Sequence, residues 1–249
     1  MINALPIQMR RRPLQTEFHF KTHGGKRAGA GRKRAAANVG LQKHEARDAF
    51  DPTDPVHVTM RAVRGVPSMR AEVVSAVVVA EIRRASEKGF RILHYSIQTD
   101  HLHLITEADS KLELARGVQR LAARVAMRIN ALARRRGMFW RERYHRRDLG
   151  SPQQFRNALV YVTFNSRKHA SAGERAVRAR ELDGLSSARW IPERDWAPPD
   201  DTFLERLRGW RAAAGAGPPP VAPPERWVAR TGWKKHGRLD PFEAPKLPE

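Results

Sequence analysis

Asp100-His101-Leu102-His103-Leu104 decides the fold of this 249-residue chain. It ends an apolar run that predicts a β-strand over about 101–106, and side chains on a strand alternate between two faces. His101 and His103 therefore emerge together on one face, while Leu102 and Leu104 point to the other. Two imidazoles at i, i+2 can converge on one divalent cation, since neutral imidazole is a good ligand for such ions.

Working outward, Phe90 to Gln98 predicts a preceding strand, with Leu93, Tyr95 and Ile97 on the core face and His94, Ser96 and Gln98 opposite. Thr99-Asp100 can reverse the chain between the two. Val56-His57-Val58-Thr59-Met60-Arg61 alternates strictly and predicts a first strand, placing His57 in the same class as His101 and His103. Between the first two strands, Ser68 to Gly89 predicts a valine-rich, buried helix over about 69–88. After the third strand, Asp109-Ser110 introduces a helix over about 111–136. Its apolar stripe is Leu114, Val118, Leu121, Val125, Ile129 and Leu132. Met138 to Arg147 predicts a fourth strand. Ser151-Pro152-Gln153-Gln154 then starts a last helix, to about His169, with Ser at the N-cap and Pro at N1.

The order β-α-β-β-α-β predicts an α+β, ferredoxin-like fold: an antiparallel sheet with two helices on one face. The apolar positions assign the helices to the Leu102 and Leu104 face, which leaves the histidines on the open one. The helix over 151–169 remains to cover that face. It carries Tyr161, the best nucleophile in the second half of the chain, with the amide of Asn165 one turn on.

Charge points to a polyanion. Lys and Arg number 47 against 26 Asp and Glu, a net +21 with pI near 11.4. No apolar run approaches the roughly 18 residues of a membrane span, so nucleic acid is the expected partner rather than a membrane. With no Cys, disulfides, thiolate zinc and cysteine nucleophiles are excluded, and a reduced cytoplasmic protein is expected. Residues 1–50 predict a basic, disordered arm centred on Lys26, Arg27, Arg32, Lys33 and Arg34, suited to phosphate contact. Within the helix over 111–136, Arg116, Arg120, Arg124 and Arg128 recur every four residues. No acid is spaced to relieve them, so DNA phosphate is the expected partner. Residues 51–170 form the predicted domain, and the Pro- and Trp-containing 171–249 an accessory tail.

These residues resemble the single-tyrosine HUH transposases and, within them, the REP-associated tyrosine transposases. The likeness covers about 50–170. His101-Leu102-His103 corresponds to the HUH motif and Met138-Phe139-Trp140-Arg141-Glu142-Arg143-Tyr144 to a Trp-containing strand. Tyr161-Val162-Thr163-Phe164-Asn165 corresponds to the stretch that holds the catalytic tyrosine, and His57 to a histidine common on the first strand. Ser166 stands where the family usually has Pro, and Thr99-Asp100 replaces the usual approach to the HUH.

The resemblance implies Mg²⁺ or Mn²⁺ held by His101, His103 and Asn165, with Tyr161 as the catalytic nucleophile. It implies His57, Trp140 and Arg143 as residues supporting the site or touching DNA. It further implies single-stranded hairpin DNA of REP-like elements as substrate, a 5′-phosphotyrosine intermediate, a monomer or homodimer, and a nucleoid-associated bacterial protein. The alternatives are a non-catalytic nucleic-acid-binding protein on the same fold, or a replication-initiator or relaxase-type nickase.

Overall fold

The structure, a computed structural model, describes residues 49–167, 182–198, 200–215, 217–243 and 245. Lys26, Arg27, Arg32, Lys33 and Arg34 lie outside the described residues. Four strands, β1 (Val56–Arg61), β2 (Phe90–Ile97), β3 (His101–Ala108) and β4 (His145–Asp148), form one sheet in the order β2-β3-β1-β4, every pair antiparallel. Helices α1 (Glu72–Ala85) and α2 (Lys111–Leu132) cover one face. Helix α3 (Pro152–Thr163) lies on the other. This is the ferredoxin-like arrangement, with an added helix bearing Tyr161 on the face the first two helices leave open.

The alternation on β1 and β3 divides the side chains as the sequence predicts. Val56, Val58, Met60, Leu102 and Leu104 are buried with Val74, Val78 and Ile82 of α1 and Leu114, Val118, Leu121 and Val125 of α2. Each fully buried aliphatic side chain contributes about 1.5–3 kcal/mol, so this layer is the main source of stability. Gly117 lets α2 approach the sheet, because a Cβ there would fall 2.3 Å from the Phe90 ring.

The elements differ from expectation in five places. On β2 the register shifts between Ile92 and His94, a bulge that sends Leu93 to the α3 face and gives its core place to Ile92. Helix α1 is shorter than 69–88. Ser68 caps a preceding turn, its hydroxyl accepting from the Arg70 N–H, and Gly89 (φ 85°) sits in the following turn. Only part of the valine run is buried; Val73 is an exposed residue.

Helix α2 ends at Leu132, where Arg134 turns left-handed (φ 47°). The fourth strand is four residues long rather than 138–147. Residues 138–141 touch β1 only through an isolated Ala62–Trp140 bridge and its neighbours, because the Trp140 indole turns into the helix layer and donates to the Ala122 carbonyl at 2.8 Å. Finally, α3 stops at Thr163 and a 3-10 turn, Asn165–Arg167, follows it. Its predicted start is present, with the Ser151 hydroxyl accepting from the Gln154 N–H at 3.2 Å.

The tail packs as an integral part of the fold. A second core joins Phe155, Leu159 and Val162 of α3 to Ile191, Trp196, Trp233, Leu239, and Phe203 and Leu207 of helix α4 (Asp201–Ala213). Asp183 holds Arg70 through two hydrogen bonds of 2.9 Å. Buried Glu107 accepts from the backbone N–H groups of Glu225 and Arg226 and pairs with Arg91.

Candidate active site

Four side chains meet between the sheet and α3. His103 on β3 and His57 on β1 share a face because both belong to the outward class of their alternating strands, and β1 pairs with β3 in a register that puts Thr59 opposite His103. The His103 Nδ1 lies 3.2 Å from His57 Nε2 and 3.1 Å from the Thr59 hydroxyl oxygen. His101 follows on the same strand, its ring centroid 4.8 Å from that of His103. Tyr161 descends from α3 onto this cluster, its ring 5.1 Å from His103 and 5.9 Å from His57, edge-on to both.

The cluster is graded in exposure. His103 and Tyr161 are buried, whereas His101 retains 23% of its side-chain surface beside Asp100 and Arg61, both about half exposed. The cluster is therefore open to solvent at the His101 rim. Burial, followed by the neighbouring charges of His145 and Arg147, pushes the His57 imidazole down to about 4, so it is neutral near pH 7. Burial also pushes the Asp100 carboxyl up, but hydrogen bonds to His101 and Arg61 outweigh it and hold the group below its ordinary value. Asp100 is thus an anion, 2.7 Å from His101 Nδ1.

Both Nδ1 atoms are therefore occupied by neighbours, Asp100 for His101, and Thr59 and His57 for His103. A metal ion would use the two Nε2 atoms, with Nδ1–H of His101 donating to the carboxylate and Nδ1–H of His103 donating to the neutral His57. Such outer partners fix the orientation and raise the basicity of histidine ligands. Asn165, buried on the 3-10 turn just past Tyr161, has an amide nitrogen that meets no hydrogen-bond partner among the described residues. No group of three His, Cys, Asp or Glu side chains assembles into a metal site among the described residues. Two imidazole nitrogens and an amide oxygen could supply part of a divalent ion's shell, with waters completing it.

The turn that carries Asn165 is pinned from outside. The Arg167 guanidinium stacks on Phe164 at 4.2 Å and donates to the Pro241 carbonyl at 2.5 Å. Burial pulls its pKa down to about 10, which leaves it charged at neutral pH.

The structure brings Tyr161, His101, His103 and His57 together, with Asn165 one turn beyond Tyr161. It separates the others. Trp140 and Arg143 do not back the histidines. They line a cavity of about 380 Å³ on the opposite side of the sheet, with Met60, Val118, Gln119 and Tyr144, because the 138–144 segment turns toward α2. Tyr144 lies there too, and Tyr95 is buried in the main core, its phenol pushed up to about 12 by burial. The arginines of α2 have internal partners: Arg116 pairs with Glu113, Arg120 with Glu87, and Arg128 with Glu81, while Arg124 donates to the Arg84 carbonyl. The acids missing from the helix spacing come mostly from α1 and the turn after it, so the reason for expecting phosphate on this stripe falls away. Two contributors were missed. Thr59 was readable from its alternation class with His57, and Asp100 from its adjacency to His101.

Residues 56–164 match the family model described as "Transposase IS200 like". Over these residues the chain is similar to IS200-like transposases. Among solved structures, the chain is similar to one titled "Structure of the REP associates tyrosine transposase bound to a REP hairpin". Identity is 13%, the match covers 51% of this chain and 75% of that one, and the TM-score is 0.43. No curated protein matches the chain. Among the described residues, no helix is long and apolar enough to cross a membrane.

Proposed function

We propose that the protein is a DNA transposase that cuts and rejoins single-stranded DNA by transesterification, with Tyr161 as the nucleophile. The observation that carries this reading is the Tyr161 ring set edge-on above His103 and His57, with His101 at the open rim. The Tyr161 phenol oxygen attacks phosphorus in line, the new O–P bond forms as the P–O3′ bond breaks, and the phenolic proton is balanced by the proton taken up at the departing 3′ oxygen. The product is a 5′-phosphotyrosine and a free 3′-OH. The bond energy of the phosphodiester is retained, so attack by a second 3′-OH joins new ends without ATP. His57, neutral above about pH 4, orients His103 rather than adding charge beside the phenol. His101, His103 and Asn165 would hold Mg²⁺ or Mn²⁺, which when bound supplies electrostatic stabilisation to the charge building on the phosphate oxygens.

Single strands suit the site better than duplex, because a phosphate must bend past the His101 rim to reach a largely buried tyrosine. A hairpin with a flexible flank, as in REP-like elements, meets that need. The test is incubation with Mn²⁺ and end-labelled hairpin DNA from the gene's flanks, resolved on a denaturing gel. A protein band carrying the 3′-side fragment is expected, lost with EDTA, and reduced in Tyr161→Phe by at least about 10⁴-fold while hairpin binding persists. Cleavage by Tyr161→Phe would assign the nucleophile elsewhere, and hairpin binding without any adduct would make this a binding module.

A further inference from the structure

The clearest nucleic-acid surface outside the matched domain lies in the tail. Five of the six tryptophans are buried or half-buried; only Trp227 stands in solvent, 51% exposed. It opens a single helical turn, α5 (Trp227–Arg230), which a 3-10 turn, Gly232–His236, follows. The turn is anchored by Trp233, whose buried indole donates to the Ala229 carbonyl at 3.0 Å. Trp227 is itself held firmly. Gly232 packs so closely that a Cβ there would fall 2.9 Å from the benzo ring, and the Lys235 ammonium lies over the indole at 5.1 Å.

Cations surround it. Arg230, Lys235, His236 and Arg238 are exposed. Among the described residues, Arg230, Lys235 and Arg238 pair with no carboxylate, in contrast to the arginines of α2. The patch also borders the tyrosine helix: Arg156 of α3 donates to the carbonyls of Gly237 and Arg238, each at 3.0 Å. A rigid aromatic plane flanked by uncompensated positive charge is what an unstacked nucleobase and its phosphates require.

We infer that Trp227, with Arg230, Lys235 and Arg238, forms a single-stranded DNA contact on which one base stacks while the cations meet the adjoining phosphates. The contact carries the strand that leads to or from the cutting site over the outer side of α3. Stacking needs an exposed base face, which duplex DNA does not offer, so the patch selects single strands. This inference rests on the transposase assignment and not on Tyr161 as nucleophile, since binding is measured without metal and without cleavage.

The experiment uses the full chain, EDTA and a fluorescein-labelled 20-nucleotide thymidine strand, with anisotropy read across a salt series. Trp227→Ala should weaken binding about 5- to 150-fold, the range for one stacked base, and Trp227→Phe, which keeps a ring, should recover most of the loss. The Lys235→Ala/Arg238→Ala pair should lower the salt slope by about 1.4, about 0.7 for each phosphate contact on a single strand. A duplex of equal length should bind Trp227→Ala and wild type alike. Unchanged single-strand affinity in Trp227→Ala, or an equal loss for duplex, overturns the proposal. Photocrosslinking of a strand bearing 5-iodouracil gives a readout independent of variant folding: the adduct should map to Trp227, and adducts confined to other residues would also overturn it.

Discussion

The two faces of the sheet are closed by different means. Facing α1 and α2, the apolar residues are near neighbours in sequence, and period-2 strands meet period-3.6 helices in one continuous core. Facing α3, the sheet presents histidines. The core there has to be completed by tryptophans, leucines and a phenylalanine supplied mainly from residues 191–239. The first face makes the fold stable; the second holds Tyr161 against polar groups, which an α-helix of 12 residues resting on imidazoles could not do unaided. A site built from long-range contacts is positioned by whatever fixes the distant segment.

Glu107 is the most direct way to break that dependence. Its carboxylate is fully buried, receives two backbone N–H groups of the tail at 2.9 and 3.0 Å, and neutralises Arg91. Glu107→Ala leaves Arg91 with Glu225 at 3.0 Å and Asp109 at 3.9 Å but strands both backbone donors, which costs about 1–3 kcal/mol for each buried unsatisfied group. Urea unfolding should report that loss. Cleavage assayed where the variant is still folded should also fall, because the tail no longer seats α3. An equal loss of stability produced by Val78→Ala on the opposite face should leave cleavage of the folded fraction unchanged. If Glu107→Ala is destabilised yet cuts at the wild-type rate, the tail does not position the tyrosine.

The faces also differ in their response to pH. His94 on the α3 side is pushed from 6.5 to about 4 by burial, beside the Ser187 hydroxyl. Its unfolded form binds a proton first, so stability is full above about pH 6.5 and is lost as pH falls toward 4, by at most roughly 3 kcal/mol. Tyr95 on the other face is pushed from 10 to about 12 by burial, and its contribution is lost only as pH rises past 10. Unfolding midpoints at pH 7, 5.5 and 4.5 should therefore converge between wild type and His94→Gln as acid is added. A constant gap across that range would show that His94 stays neutral in both states.

The division between faces was legible from the sequence because a strand's two-residue period is rigid: a single misplaced residue would have moved His57, His101 and His103 into the core. The convergence of Tyr161 with those histidines was legible too, since one helix remained to cover one open face. The bulge at Leu93 was not, because nothing in Phe90 to Ile97 distinguishes an extra residue from a shifted alternation. Nor was the end of the fourth strand. Trp140 and Tyr144 have high strand propensity, and only the fit of an indole against Ala122 turns that segment away. The arginine stripe misled for a related reason: spacing within one helix lists the charges but not the acids that another helix brings alongside.

That last point gives the smallest expected effect and the sharpest contrast with the tail. Arg116 and Arg120 lie on the surface, each already opposite a glutamate, Glu113 and Glu87. To contact phosphate they would have to leave one anion for another, an exchange worth little where exposed pairs contribute about 0–1 kcal/mol. The double variant Arg116→Ala/Arg120→Ala should therefore change single-strand affinity by less than about twofold and leave the salt slope unaltered, since no condensed counterion was being released at these positions. Lys235→Ala/Arg238→Ala removes the same formal charge from a site without internal anions, and should lower the slope by about 1.4. The two double variants are matched in charge, so a shared background of net positive field cancels between them. A slope reduced equally by both would mean that total charge, not its pairing inside the fold, sets where DNA binds.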